Sequence, residues 1–230
     1  MAIVAGATRG IGRATAGLLA GSGWSVVVNY AHDQRQAEST VEAILASGGV
    51  AEAVRADVTD ELDVERLFCV TTETCGGVDV VVQAVIGRPS YSRALADVEL
   101  EEFDALSRSN ARAVLLVNRE ASRQLRDGGA IVNITSVAVT RPRTYTAADS
   151  ASRAAVDALT RVAALELARR DITVNAVALD LNGPCEPDQV ADAVAYLLSD
   201  AARGITGQVV RVDRSTWGLG TVRNDVGPPG

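Results

Sequence analysis

A glycine-rich turn near the start of the chain has the residue types and spacing that phosphate binding requires. Gly6, Gly10 and Gly12 follow the apolar residues 2–4 and lead into residues 13–20, whose apolar positions have helical spacing. The first two glycines permit backbone angles and a close approach that a β-carbon would block, and the third lets a helix pack tightly on a strand. Free N–H groups at the start of that helix attract anions. The pattern therefore predicts a dinucleotide pyrophosphate site, formed by Gly6, Arg9, Gly10, Ile11 and Gly12.

Strands and helices must alternate to position this turn, and the hydrophobic pattern predicts that they do. The predicted strands are residues 2–4, 24–29, 50–56, 78–82, 130–134, 172–177 and 208–212. The predicted helices are 13–20, 34–47, 61–74, 99–126, 150–169 and 188–199. Apolar strands without alternation, separated by amphipathic helices, are typical of a parallel sheet that is covered on both faces. We therefore expect an α/β fold: a single Rossmann-type, doubly wound domain with a seven-stranded parallel sheet.

The same pattern predicts domain limits and buried helix faces. The domain spans residues 1–213, and the Gly- and Pro-rich tail 214–230 is expected on the surface or in a subunit contact. Two helices show an apolar stripe that we expect to be buried against the sheet. The stripe of helix 34–47 contains Ala37, Val41, Ile44 and Leu45, and that of helix 150–169 contains Ala154, Ala155, Ala158, Leu159, Val162 and Leu165.

Composition excludes several classes of function. A net charge of −7 disfavours nucleic acid and anionic membranes as partners. No apolar run reaches the roughly 18 residues of a spanning helix and no leader opens the chain, so we expect a cytoplasmic location. All 22 basic residues are arginine, which excludes Schiff-base, P-loop and lysine-assisted chemistry. One histidine, His32, and three cysteines without ligand spacing predict no metal site.

Six motifs together resemble the short-chain dehydrogenase/reductases, especially those similar to ketoacyl carrier-protein reductases. They are Gly6-x3-Gly10-Ile11-Gly12, Asp57-Val58, Ser109-Asn110, the segment 129–136, Ile172-Thr173-Val174-Asn175 and Ile205-Thr206-Gly207-Gln208. The resemblance covers residues 2–213. It implies a nicotinamide dinucleotide cofactor, a small-molecule substrate and a homodimer or homotetramer.

The resemblance also implies a catalytic tetrad of Asn, Ser, Tyr and Lys, and here the match is partial. Asn110 and Ser136 occupy the first two positions, but the tyrosine position falls on Asp149 and the lysine position on Arg153. An aspartate, with an ordinary pKa of about 3.9, is a poor proton donor at neutral pH, and arginine cannot serve as a proton relay. Their i, i+4 spacing predicts an ion pair. Tyr145, one turn upstream, is an alternative hydroxyl donor.

The family's cofactor contacts are retained unevenly. Asp57 and Val58 match its adenine contact, and Arg9 favours the 2′-phosphate of NADP(H) over NAD. After the fourth strand, Gln83 and Ala84 stand where the family has asparagines, and Ile86 stands at its glycine. Residues 179–182 replace the Pro-Gly-Thr segment that grips the nicotinamide, and the substrate lid is largely deleted before residue 188. We therefore expect the nicotinamide end to be bound unproductively.

Three functions remain open from the sequence. The first is proton transfer without net redox change (dehydration, cyclisation or isomerisation) in small-molecule biosynthesis, with Asp149 as base, Ser136 and Asn110 orienting a carbonyl, and Arg153 stabilising an enolate. The second is NADPH-dependent carbonyl reduction with a non-standard proton donor. The third is a non-catalytic subunit that binds a nucleotide or pairs with an active relative through the long helices.

Overall fold

A single parallel sheet of seven strands forms the centre of the protein. The computed structural model describes residues 1–87, 93–180 and 186–212. The strands are β1 (Ala2–Ala5), β2 (Ser25–Tyr30), β3 (Val50–Arg55), β4 (Val78–Gln83), β5 (Leu125–Ser136), β6 (Thr173–Leu179) and β7 (Val209–Val212). Their order is β3-β2-β1-β4-β5-β6-β7, and every pair is parallel. This confirms the predicted doubly wound α/β fold.

Helices cover both faces of the sheet. They are α1 (Gly10–Gly21), α2 (Gln34–Ala46), α3 (Glu61–Cys75), α4 (Leu100–Ser107), α5 (Ala113–Gln124), α6 (Ala147–Leu167) and α7 (Pro187–Leu197). One apolar cluster contains α1, α2 and α7, and the other contains α3, α5 and α6. The strand order reverses between β1 and β4, so the turns that follow these two strands meet at the carboxyl edge of the sheet, where such folds bind ligands.

The region predicted as one helix over 99–126 consists of three segments. A π-helical turn at Arg108–Arg112 separates α4 from α5 and buries Asn110. β5 then begins at Leu125 and includes Gly128 and Gly129, which were predicted to end the helix. A β-carbon on Gly129 would lie 2.6 Å from the carbonyl oxygen of Asp79. Close pairing with β4 therefore extends β5, and hydropathy does not register this backbone contact.

The predicted buried face of α6 is wrong. Of the predicted stripe, Ala154, Ala158, Val162 and Leu165 are exposed, and Ala155 and Leu159 are half-buried. The side of α6 that packs inward includes Asp149, Ser152, Arg153, Asp157 and Thr160. Polar partners on β5 and after β4 hold this side against the sheet. Leu45, predicted to be buried on α2, is also exposed.

Two predicted features lie outside the described residues. The tail 214–230 is one, and residues 181–185, on which the deletion of the lid rests, are the other. α7 begins at Pro187, one residue before the predicted start. Within the described part of the chain, no helix has both the length and the apolar character needed to cross a membrane.

Candidate functional site

The glycine turn joins β1 to α1 with an open helix N-terminus. Gly6 and Gly10 have φ of +72° and +52°, a region that side-chain-bearing residues rarely adopt. A β-carbon on Gly12 would lie 2.2 Å from the carbonyl oxygen of Gly6, whereas one on Gly10 would meet no atom within 4 Å. The side chain of Arg9, the N-cap residue, makes no capping hydrogen bond to α1, and no acidic residue lies in the first turn of this helix. Its N–H groups therefore face open space and are available to an anion.

Asn29, at the end of β2, supports this turn and was missed by the sequence analysis. Its Oδ1 accepts a hydrogen bond from the Gly6 N–H at 3.4 Å, and its Nδ2 donates to the Ala56 carbonyl at 3.0 Å. Asn29 is only 1% exposed. An amide inside an otherwise apolar strand was the available signal, because a buried amide needs partners on neighbouring segments.

A cleft of about 830 Å³ opens over the glycine turn. Its walls contain the predicted residues Gly6, Arg9, Gly10, Ile11, Gly12 and Ala84, together with Tyr30, Ala31, His32, Asp33, Val85, Ile86, Leu179, Asp180 and Pro187. This volume lies in the range of cofactor sites. Arg9 and His32 are both among the lining residues, and His32 follows the end of β2 by two residues. These residues fit the adenosine and pyrophosphate parts of a dinucleotide.

Three predicted cofactor residues, Asp57, Val58 and Gln83, are not among the cleft's lining residues. Asp57 accepts two 2.9 Å hydrogen bonds at Oδ1, from the N–H and the hydroxyl of Thr59, and Val58 is buried. Gln83 is fully buried, and its amide atoms have no hydrogen-bond partner within the described ranges. That these three residues contact a cofactor is therefore still a prediction from the sequence.

Two other lining residues of the cleft, Ile86 and Asp180, bear on the rest of the cofactor. Ile86, at the position of the family's glycine, lines the wall and packs against the apolar cluster of α1, α2 and α7. Asp180 lines the same cleft and accepts a 2.9 Å hydrogen bond from Arg143. The resemblance places a glycine at Ile86 and the nicotinamide-gripping segment at Asp180, so both positions carry other side chains here.

Asp149 and Arg153 form the ion pair that their spacing predicts. Arg153 Nε donates to Asp149 Oδ1 at 2.7 Å. Arg153 is 1% exposed and Asp149 is 8% exposed, so both charges are withdrawn from water. The Arg153 guanidinium also donates, through an Nη atom, to the Gly87 carbonyl at 2.7 Å. A buried arginine held in this way stays charged and cannot release a proton.

Asn110 is bonded inside the same network. Its Oδ1 accepts from the Gly87 N–H at 2.8 Å, and its Nδ2 donates to Ser152 Oγ at 3.0 Å. Ser152 Oγ in turn donates to the Asp149 carbonyl at 2.9 Å. Both ends of the Asn110 amide are therefore engaged by protein groups.

Ser136 and Tyr145 have contrasting surroundings. Ser136 Oγ, at the end of β5, accepts from the Ala138 N–H at 3.2 Å, and Ser150 Oγ of α6 donates to the Ala138 carbonyl at 3.3 Å. These bonds connect the turn after Ser136 to the first turn of α6. Tyr145 precedes α6 with φ of +67° and is 59% exposed. Asp149, not Tyr145, is the residue on the buried face of α6.

A second buried acid lies two turns along α6 from Asp149. Asp157 is 3% exposed and accepts a 3.1 Å hydrogen bond from Thr135 Oγ1 of β5. Burial raises the pKa of Asp157, and the Thr135 hydrogen bond and the Arg161 charge oppose this only partly. Among the residues that the structure describes, no group of three or more His, Cys, Asp or Glu side chains could hold a metal ion.

Comparisons with known proteins find relatives along nearly the whole chain. A family model described as enoyl-(acyl carrier protein) reductase matches residues 6–181. The chain is 37% identical to a 3-oxoacyl-(acyl-carrier-protein) reductase of Synechocystis, covering 93% of this chain and 95% of that protein. It is 35% identical to versicolorin reductase 1 of Aspergillus parasiticus, covering 93% and 94%.

A solved structure gives the same result. A short-chain dehydrogenase of Burkholderia cenocepacia, in complex with NADP, superposes with a TM-score of 0.84 at 31% identity, covering 92% of this chain and 95% of that one. Each match extends over nearly the whole length of this chain and of the protein compared with it. The seven-stranded parallel sheet and the glycine turn are consistent with these matches. The chain therefore belongs to the short-chain dehydrogenase/reductase family.

Proposed function

We propose that this protein binds NADP(H) and catalyses proton transfer on a carbonyl-bearing small molecule, without tyrosine-dependent hydride transfer. The observation that carries the proposal is the buried Asp149–Arg153 pair, which stands where the family resemblance places the tyrosine and lysine. An ionised carboxylate beside a cation accepts a proton but does not donate one at neutral pH. The pair therefore suits the role of a base better than that of a ketone-reducing acid.

NADP(H) is the cofactor best supported by the cleft. The N-terminus of α1 fits a pyrophosphate, and the cleft is lined by Arg9 and His32, whose side chains suit a ribose 2′-phosphate. The Burkholderia structure of the same fold is a complex with NADP. A bound NADPH would supply hydride, but the described residues provide no phenol at the tyrosine position.

The proposed step requires one base and one hydrogen-bond donor. Asp149 bonds Arg153 through Oδ1, and its Oδ2 has no hydrogen bond to any described residue. That oxygen would take the proton from the carbon next to a carbonyl, and the C–H electron pair would form an enolate. The Ser136 hydroxyl donates no hydrogen bond to any described residue. It would donate a hydrogen bond to the enolate oxygen and so stabilise the negative charge.

The substrate class follows from this step and from the relatives. Proton abstraction next to one carbonyl is easier when a second carbonyl shares the negative charge, which favours β-keto thioesters and aromatic polyketones. The relatives carry the names 3-oxoacyl-(acyl-carrier-protein) reductase and versicolorin reductase. A similar carbonyl compound, used in small-molecule biosynthesis, is the proposed substrate.

Deuterium exchange next to the carbonyl tests the proposal directly. Purified protein is incubated in D2O with acetoacetyl thioesters and aromatic polyketones, with and without NADPH, and exchange is followed by NMR. We expect catalysed exchange without oxidation of NADPH. Asp149→Asn should lower the exchange rate about 100-fold or more, because a carboxamide cannot act as a general base.

Two outcomes would contradict this assignment. Exchange that survives in a folded Asp149→Asn variant would remove Asp149 from the reaction. NADPH oxidation with these substrates, abolished by Tyr145→Phe, would establish the alternative of carbonyl reduction with Tyr145 as donor. Exposed Tyr196 provides a matched control, and Tyr196→Phe should leave either activity unchanged.

We also propose that the protein self-associates through α6. Its apolar stripe faces away from the sheet, with Val162 and Leu165 51% and 80% exposed. A contiguous apolar face on a long helix is a common protein interface, and closed symmetric dimers are the commonest assembly. A homodimer or homotetramer is the expected assembly, and pairing with a relative that carries the missing Tyr and Lys is the alternative.

A further inference from the structure

Both polar groups of the Gly87 backbone are held by buried side chains. Asn110 Oδ1 accepts from its N–H at 2.8 Å, and the Arg153 guanidinium donates to its carbonyl at 2.7 Å. Asn110 and Arg153 are 3% and 1% exposed. Gly87 follows β4 outside any regular element, so these two bonds replace the ladder bonds that a strand or helix would provide.

The backbone at Gly87 also lies unusually close to the π-helical turn. A β-carbon at this position would lie 1.9 Å from Ser109 Oγ and 3.3 Å from Asn110 Oδ1. Position 87 therefore requires glycine for the backbone to lie this close to the π-helical turn. In this position the Gly87 carbonyl is within hydrogen-bonding distance of Arg153. Asp149 orients the Arg153 guanidinium by accepting a hydrogen bond from its Nε. The same planar guanidinium therefore makes both the ion pair and the bond to the Gly87 carbonyl.

The residue before Gly87 lines the cofactor cleft. Ile86 packs against the cluster of α1, α2 and α7 and lines the same cleft as Arg9 and His32, at the position where the family resemblance places a glycine. We infer that Arg153 is a positioning residue that fixes Gly87 and, through it, Ile86. Arg153 thereby sets how much of a dinucleotide the cleft accepts, an inference that rests on the proposed NADP(H) binding but not on proton transfer.

Hydrogen exchange measures the first part of this inference without any ligand. Removing Arg153 alone would strand the buried charge of Asp149, so Asp149→Asn is the reference and Asp149→Asn/Arg153→Met is the test. We expect exchange in a peptide covering residues 84–87 to be about tenfold faster in the double variant than in the reference. Arg161→Met, at an exposed arginine of the same helix, should leave this peptide unchanged.

A purely structural role for Arg153 predicts a different pattern. It would accelerate exchange across α6 and lower the melting temperature, with no preference for residues 84–87. Equal exchange of this peptide in the reference and the double variant would overturn the inference. Arg153→Lys adds a second check, since one ammonium cannot occupy both the Nε and Nη positions. Faster exchange at residues 84–87 is expected here too, with the melting temperature largely kept.

Binding of two nucleotides tests the second part. Calorimetry with NADPH and with adenosine 2′,5′-bisphosphate compares the whole cofactor with its adenosine half. Release of Ile86 should change the NADPH affinity of the double variant at least about fivefold relative to Asp149→Asn, with the bisphosphate affinity unchanged. An unchanged ratio of the two affinities would overturn the role in the cleft. Failure of the unmodified protein to bind either nucleotide would refute NADP(H) binding and this role together, while the exchange result would still decide the positioning of Gly87.

Discussion

At the scale of single residues, α6 carries two buried acids in different surroundings. Asp149 has a guanidinium 2.7 Å away, which balances its charge. Asp157 has one hydroxyl donor, Thr135, and a more distant cation, Arg161. Burial of a charge is costly unless a partner compensates for it, so the ionised form of Asp157 is poorly supported. The pKa of Asp157 is raised because burial disfavours its charged form more than Thr135 and Arg161 favour it.

Replacing Asp157 with asparagine should stabilise the protein at neutral pH. Because the folded pKa is raised above the unfolded value of about 3.9, the native state binds more protons, and wild-type stability falls as pH rises through this interval. Asp157→Asn removes that loss and keeps an oxygen acceptor for Thr135. Its melting temperature should match wild type near pH 4 and exceed it by about 2–4 °C at pH 7.

The control for this change is an exposed acid. Asp104 lies on the surface of α4, and Asp104→Asn should show no pH-dependent gain. A melting temperature of Asp157→Asn that falls below wild type at pH 7 would mean that the carboxylate has support beyond Thr135 and Arg161. Calorimetric scans over this pH range supply the measurement.

At the scale of elements, the packing of α1 on the turn after β1 builds the cleft. Gly12 is buried where the helix crosses the Gly6 carbonyl. Gly17 is exposed on the same helix, and no atom of the described residues lies within 4 Å of the place that its β-carbon would take. Substitution of Gly12 therefore tests the close packing of α1, whereas substitution of Gly17 changes only the helix propensity.

Gly12→Ala should destabilise the protein and weaken nucleotide binding. Its β-carbon would overlap the Gly6 carbonyl oxygen, so α1 must move away at a cost of about 1–3 kcal/mol. Gly17→Ala should instead stabilise by up to about 1 kcal/mol, because alanine favours the helix. Urea unfolding and NADPH titration measure both effects. Equal stability of the two variants would refute the close contact at Gly12.

Elements were predictable from sequence where one rule decided them. Apolar runs such as Val26–Val28 and Val80–Val82 identified strands, and the glycine spacing identified the turn. The π-helical turn at Arg108–Arg112 was not predictable from the sequence. It places Asn110 against the backbone of Gly87, which is 23 residues away in the chain. Periodicity reports local hydrophobicity and carries no information on such a partner.

At the scale of the whole molecule, the outward apolar stripe of α6 is the surface that we propose for self-association. Leu165 is 80% exposed, and Val162 lies one turn before it. The inward side of α6 is occupied by polar residues that bond to β5 and to Gly87. The apolar stripe of this helix therefore lies on the surface, which supports the proposed association through α6.

Leu165→Glu should reduce self-association. A charge in the centre of an apolar interface is desolvated without a partner, so the assembly should dissociate into monomers at micromolar concentration. Sedimentation velocity gives the mass of each variant. Leu62 is similarly exposed on α3, at 72%, and Leu62→Glu should leave the assembly intact. An unchanged mass for Leu165→Glu would place the interface elsewhere.

The sequence by itself determined the fold class, the glycine turn and the i, i+4 ion pair of Asp149 with Arg153. Each of these follows from residue type and spacing along the chain. Only the tertiary structure decided which face of α6 is buried and that Arg153 and Asn110 hold Gly87 between them. The physical reason is that burial of a charged residue depends on partners distant in sequence, and chain folding alone brings these partners within hydrogen-bonding distance.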